Sequence, residues 1–359
     1  MSKLIVEVCP ILQVSPHENA DRLDVVTVKG WNCIVGKGQY KVDDLAIFVP
    51  PESIVPSTII EKYNLGYLKK NGRVGTIKLR KVVSQGLILD LPTGKKYKEG
   101  DNVAEELGIT KYEPPEPSFS VINNGKRSTR KHRNPLFDVY TDIENIKHFP
   151  NIFTEEDEVV ITEKIHGTNF RTANLELYEP NKLVAWIKKY ILKQTHEFCY
   201  GSHRVQIYGF RRNSFYGEDI YGKTAEAYKL KDKIPQDYII YGEIYGPGIQ
   251  DLTYGYTQLQ LRFFDVKYKD KYLSFDEFIK FCNERSLPTV PVLYKGKFSQ
   301  EILKQCTEGN TLVNPTIKQF REGCVIKSLV ETNHPTIGRK VLKSINTEYL
   351  TRPQGTENH

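Results

Sequence analysis

Five charged residues lie at a strand end or close to a glycine: Lys164, Glu243, Glu322, Lys327 and Lys343. The first belongs to Glu163-Lys164-Ile165-His166-Gly167-Thr168-Asn169, directly after Val159-Val160-Ile161-Thr162, a β-branched run that reads as a strand. A lysine at the end of a strand, followed by a glycine turn, is well placed to present a nucleophile. Its amine attacks carbon or phosphorus once its pKa falls from the ordinary lysine value of about 10.4. Alone, the stretch describes a surface lysine beside a turn equally well. Four further segments follow in order: Tyr200-Gly201-Ser202-His203-Arg204, Tyr238 to Gly246 around Glu243, the aromatic strand Leu259 to Val266, and Arg321-Glu322-Gly323-Cys324-Val325-Ile326-Lys327-Ser328. Gly338-Arg339-Lys340-Val341-Leu342-Lys343-Ser344 closes the series.

These residues must be carried by a chain of 359 residues, long enough for two domains. No run of about 18 apolar residues marks a membrane span, and the acidic residue Glu7 comes too soon for a signal peptide. The six cysteines are scattered without a C-x-x-C pair, which argues against a zinc site or a disulfide framework and fits a cytoplasmic or other reducing intracellular compartment. The net charge of +7 is unevenly spread, with basic blocks at Lys69 to Lys81 and Lys126 to Arg133. Such blocks acquire meaning where the chemistry calls for a polyanion.

Residues 1–110 read as short strands separated by turns, among them Leu23 to Val28, Cys33 to Val35, Leu45 to Val49, Thr76 to Val82 and Gly86 to Leu89. This pattern predicts a small all-β barrel. Gly36-Lys37-Gly38 lacks the rest of any phosphate-loop fingerprint and reads as a hairpin turn. His17 to Leu23, Ile34-Val35 and Val42 to Ala46 together resemble the OB-type barrels of tRNA-binding modules. Trp31, Tyr40, Tyr63 and Tyr67 are the aromatics available there for stacking on bases. Residues 111–134, with Glu113-Pro114-Pro115-Glu116-Pro117 and a basic tail, read as a linker whose charge could follow a phosphate backbone. Residues 135–359 hold all the ordered segments, and Leu183 to Ile191 and Glu218 to Lys231 have helical patterns.

The ordered set resembles the covalent nucleotidyltransferases, a superfamily of ATP-dependent DNA ligases, RNA ligases and GTP-dependent capping enzymes. Its motif I is K-x-D/H-G and its motif IV E-G-x-V-x-K, matched here by Lys164 to Gly167 and by Glu322 to Lys327. The resemblance implies an α+β chain, an OB-type barrel followed by a nucleotidyltransferase domain of ATP-grasp-like antiparallel sheets with flanking helices. It makes Lys164 the acceptor of AMP. Lys327 and Lys343 would bind the α-phosphate, stabilise its developing charge and, as neighbouring cations, depress the Lys164 pKa. Glu243 and Glu322 would hold Mg²⁺ or Mn²⁺. Arg204 would grip phosphate or ribose, and Glu163, His166 and Asn169 would contribute to nucleotide binding. One of Phe263 and Phe264 would stack on the purine; the two point to opposite faces of a strand, and the family's F-D pattern favours Phe264. Related ligases often carry K-x-K in motif V. Here Val341 stands two before Lys343, so Lys340 is the alternative first lysine.

Three features point to the RNA ligases. Motif I carries His166 where DNA ligases and capping enzymes usually carry Asp. Only 16 residues follow Lys343, too few for a C-terminal OB domain. The barrel precedes the catalytic segment, as in a small family of nick-sealing RNA ligases. The resemblance therefore implies an ATP-dependent, likewise monomeric enzyme. It would join a 3′-OH to a 5′-phosphate through lysyl-AMP and RNA-adenylate, at nicks in duplex RNA or an RNA/DNA hybrid. The alternatives are an ATP-dependent DNA ligase, a GTP-dependent guanylyltransferase, or a non-catalytic RNA-binding protein.

Overall fold

The computed structural model describes residues 4–68, 71–112, 122–123, 126–127, 133–207, 216 and 218–352. Most of the expected linker and of its basic block, together with Lys69 and Lys70, lies outside the described residues.

The N-terminal region is built of short antiparallel strands. Glu7–Pro10, Leu45–Val49 and Leu87–Leu89 form one sheet, and Gln13–Pro16, Leu23–Val28 and Trp31–Gly36 another. Leu23–Val28 alternates as its sequence does, with Val26 and Val28 fully buried against Cys9, Cys33 and Phe48. Gly36-Lys37-Gly38 is a turn pinned by Asp24, whose Oδ2 accepts from the Gly38 N–H at 2.7 Å. A short helix, Ser57–Lys62, was not evident in the sequence. Two proposed stacking residues are core instead. Trp31 and Tyr40 are buried, and the Trp31 ring packs on Phe48 and on His148 of the following domain. Tyr67 is the exposed member of that set.

The second region contains two larger sheets. One has five strands in the order Glu144–Asn145, Val341–Ile345, Gly323–Ser328, Glu158–Lys164 and Val292–Lys297. All its pairs are antiparallel except that of the first two strands, which is parallel. The other has six antiparallel strands, with Thr168–Glu176, Tyr238–Tyr245 and Gln260–Tyr268 at its centre. The helix Phe275–Glu284 buries Phe275, Phe278, Phe281 and Cys282 against the six-stranded sheet, and a Ser274/Glu277 capping box starts it. Gln300–Thr307 packs Leu303 and Cys306 on the five-stranded sheet. The two segments with helical patterns are helical, at Lys182–Trp186 with its continuation to Ile191, and at Ile220–Ala227 with Leu230–Lys233. All six cysteines are buried free thiols. Among the described residues no helix is long and apolar enough to cross a membrane.

The chain crosses from one sheet to the other within three residues. Lys164 ends a strand of the five-stranded sheet and Thr168 begins a strand of the six-stranded sheet. The crossing requires Gly167. A Cβ there would stand 2.2 Å from the Ile244 carbonyl oxygen and 2.9 Å from Cγ of Glu243. Gly167→Ala is therefore expected to cost about 2–4 kcal/mol in urea denaturation, whereas Gly66→Ala, whose Cβ meets nothing within 4 Å, changes stability by less than about 0.5 kcal/mol. Equal, small effects at both positions would contradict the tight crossing.

Candidate active site

Strand register puts the three lysines on one face. Residues paired across antiparallel strands share a face, and every second residue along a strand returns to it. Thr162 pairs with Val325 and Val325 with Lys343, while Val160 pairs with Lys327 and Lys327 with Val341. Lys164, two beyond Thr162, pairs with Gly323. Lys164, Lys327 and Lys343 therefore point to the same side of the five-stranded sheet. The opposite side carries Val159, Ile161, Cys324, Ile326 and Leu342 into an apolar core. Gly323, at φ 151°, lets the sheet close, since a Cβ would stand 2.1 Å from the Ser344 carbonyl oxygen.

This lysine face opens on a cavity of about 1280 Å³. Asn169, Glu243 and Phe264 of the six-stranded sheet border it, as do Arg204 on the bend between His196–Gly201 and Gln206–Ile207, Glu52 of the N-terminal barrel, and Lys111 and Tyr112 directly after it. Lys164 Nζ donates to Oε1 of the fully buried Glu322 at 2.7 Å. Burial works to lower the Lys164 pKa, but Glu322 and then Glu243 outweigh it, and the net shift is upward. The two carboxylates thus override the expected depression by neighbouring lysines, and Lys164 is an ammonium held by Glu322. Lys343 moves the other way, lowered by burial and by the charge of Lys164. Lys327 Nζ is buried without a hydrogen-bond partner, with Asp265 Oδ1 3.5 Å away. Asn169 Oδ1 is likewise buried and unpartnered. A buried amine left short of acceptors beside two further lysines suits a polyanionic ligand.

Several expected site residues stand elsewhere. Phe263 is fully buried between Phe170 and the helical layer and cannot stack on a ligand. Register slips between Tyr241 and Gly242, which pair with Asp265 and Phe263, so Phe264 is the extra residue of a bulge and reaches the cavity wall. Lys340 shares the face of Leu342 rather than that of Lys343, and its ammonium pairs with Asp157 at 2.6 Å. The position in register with Lys327 is held by the buried Val341. The Glu163 carboxylate accepts from Thr311 Oγ1 and, at 2.7 Å, from the Leu312 N–H, so it braces a loop, while the residue itself lines the cavity. The His166 ring is buried behind the cavity wall, bonded to Asp251 and Tyr349.

Sequence reasoning passed over Asp265, although it lies in the quoted F-D pair. It is fully buried, accepts from Tyr140 Oη at 2.8 Å and Arg339 at 2.9 Å, and faces Lys327. Its pKa is lowered: burial opposes ionisation, but Lys327 and Arg339 prevail.

A family model for RNA ligase matches residues 157–345, more than half of the chain. The chain belongs to the RNA ligase family. An OB-fold domain model matches residues 5–91. No curated protein sequence matches the chain. Among solved structures, a lysine-to-alanine mutant of Naegleria gruberi RNA ligase with ATP and Mn is similar at a TM-score of 0.72 and 21% identity, over 97% of this chain and 98% of that one. The same ligase with PPi gives the same figures. A lysine-to-methionine mutant with AMP and Mn gives a TM-score of 0.71, over 96% of this chain and 98% of that one, also at 21% identity. The RNA ligase fold, with an N-terminal OB domain, is thus shared along nearly the whole length.

The donor set of this RNA ligase suits a hard divalent cation bound partly by phosphate and water. Among the described residues no group of three His, Cys, Asp or Glu could form a protein cage. Glu243 stands on the cavity wall and Glu322 lies behind Lys164, so two carboxylates are available where phosphate oxygens would complete the shell.

Desolvation pushes the Glu243 carboxyl up to about 8, with Lys164 pulling it down and Glu322 pushing it up. The folded state therefore binds this proton more tightly than the unfolded chain. Its stabilisation is complete below the ordinary value of 4.5 and is lost as the pH rises to about 8. In metal-free buffer, the melting temperature of the wild type is expected to fall relative to that of Glu243→Gln between about pH 5 and 8. A difference that stays constant over that range would contradict the shift.

Proposed function

We propose that this RNA ligase is ATP-dependent and seals nicks, joining a 3′-OH RNA end to a 5′-phosphate in duplex RNA or an RNA/DNA hybrid, and that it acts as a monomer. Residues 1–110 form the OB domain and residues 135–359 the adenylyltransferase domain in this reading, with 111–134 as the connection. The observation that carries it is the convergence of Lys164, Lys327 and Lys343 on one sheet face, with the Lys327 ammonium short of an acceptor. The Naegleria ligase structures with ATP, AMP, Mn and PPi support the choice of nucleotide and ion.

The Lys164 ammonium first gives up one proton, for which Glu322 Oε1, 2.7 Å away, is the acceptor at hand. The neutral amine then attacks the α-phosphorus of ATP; an N–P bond forms, the P–O bond to pyrophosphate breaks, and the second proton leaves to solvent with the pyrophosphate. Lys327 and Lys343 hold the α-phosphate and offset its developing charge, and burial keeps these interactions strong. Glu243, with Glu322, would hold Mg²⁺ or Mn²⁺, which supplies charge neutralisation at the phosphate oxygens. Arg204 and Asn169 grip the nucleotide and Phe264 packs on the adenine. AMP then passes to the 5′-phosphate of one strand. The 3′-OH of the other attacks that phosphate and AMP leaves. Glu52 of the OB domain, with Lys111 and Tyr112 at the start of the connection, borders the same cavity, which supports a part for this region in holding the strand beside the nucleotide.

Sealing assays on nicked duplexes test the reading. ATP with a strand ending in a ribose 3′-OH is expected to give product at least tenfold faster than ATP with a deoxyribose end, or than GTP, in line with the selectivity of a site that hydrogen-bonds a substrate hydroxyl. Equal sealing of deoxyribose ends would favour a DNA ligase, and labelling by GTP alone a guanylyltransferase.

A further inference from the structure

His166 sits two residues after Lys164 and does not border the cavity. Both its ring nitrogens are engaged. Nδ1 lies 2.9 Å from the Tyr349 hydroxyl and Nε2 lies 2.8 Å from Asp251 Oδ1. Burial lowers the imidazole pKa. In the neutral ring Nε2–H donates to Asp251, and Nδ1 accepts from the Tyr349 O–H. Asp251 is fixed in turn by Arg352, whose Nε and Nη2 donate to its two oxygens at 2.7 and 2.9 Å. The Arg352 guanidinium also lies over the Tyr349 ring, 3.8 Å from its centroid.

The segment that supplies Tyr349 and Arg352 is tied equally to the backbone at Arg321 and Glu322, just before the strand Gly323–Ser328. Asn346 caps the one-turn helix Thr347–Leu350, its N–H donates to the Glu322 carbonyl at 2.9 Å, and its Nδ2 donates to the Arg321 carbonyl at 3.2 Å. Glu322 Oε2 is 3.9 Å from His166 Nδ1. One short segment thus spans the two residues whose side chains meet in the Lys164–Glu322 pair: its start holds the backbone at Glu322, and its end holds the ring two residues from Lys164.

We propose that residues 346–352 are a latch for the nucleophile, in which Tyr349 and the Asp251–Arg352 pair act as positioning residues that orient His166 and through it the Lys164–Glu322 geometry. The inference rests on the reading of Lys164 as the AMP acceptor. None of the three latch side chains borders the nucleotide cavity, so their loss acts on the reacting geometry and spares nucleotide binding.

Full-length variants are compared for the single-turnover rate of lysyl-AMP formation at saturating ATP, the ATP concentration giving half that rate, and thermal unfolding. Tyr349→Phe and Asp251→Ala are expected to slow lysyl-AMP formation about tenfold or more while the half-saturating ATP concentration stays within about threefold. Asp251→Asn, which keeps an acceptor for Nε2–H, restores most of the rate. Labelled wild type with variants at the wild-type rate overturns the latch alone. So does a loss that tracks ATP affinity or melting temperature, or one equal in Asp251→Asn and Asp251→Ala. Should Tyr349→Phe fail to fold, the Asp251 pair, altered at a partly exposed side chain, decides the matter. A wild type that takes no label overturns the Lys164 reading, and the latch with it.

Discussion

An ammonium and a carboxylate 2.7 Å apart, Lys164 and Glu322, form the interaction on which the rest of this ligase depends. Lys164 ends one strand, Glu322 stands immediately before the neighbouring strand, and the glutamate is fully buried. Removing one partner of such a pair leaves an uncompensated charge and costs about 3–5 kcal/mol. The pair favours the protonated form of Lys164 and, in the proposed reading, sets a proton acceptor beside the attacking amine.

The surrounding fold serves this pair. Two sheets meet where the chain crosses between them at Ile165–Gly167, and the crossing places Lys164 of one sheet near Glu243 of the other. Register then adds Lys327 and Lys343 with no further device, because alternation along two adjacent strands returns both to the face of Lys164. The positive charge gathered there is met by Glu322 and Asp265, so in the proposed reading a nucleotide exchanges existing ion pairs for its own and enters no bare cationic pocket. The OB domain closes the other side of the cavity, joined to the catalytic domain by Lys147, whose ammonium donates to Gln85 Oε1 at 2.6 Å, and by His148 against Trp31.

Much of this was legible in the sequence, because strand alternation and the order of glycine-flanked charges are local signals. The run before Lys164, the strand around Glu243 and the small β-barrel all follow from them. What escaped depends on longer-range structure. The F-D pattern favoured Phe264, but the bulge through which it reaches the cavity leaves no clear mark in a run of Phe263-Phe264-Asp265. Lys340 looked like a substitute for the missing lysine of K-x-K, yet a shift of one residue reverses the face, and it pairs with Asp157 instead. Glu163 was read as a ligand contact from its place beside Lys164, and it does line the cavity, but the hold of Thr311 and Leu312 on its carboxylate, 148 and 149 positions away, leaves no mark in the sequence. His166 is partnered by residues 85 and 183 positions away, a distance at which sequence carries no signal of contact.

The most direct measurement is transfer of label from α-32P-labelled ATP to the protein, followed by peptide mapping. The account predicts release of pyrophosphate, AMP on the peptide containing Lys164, and no label on Lys164→Ala. Label retained by that variant, or AMP mapped to another lysine, would contradict it.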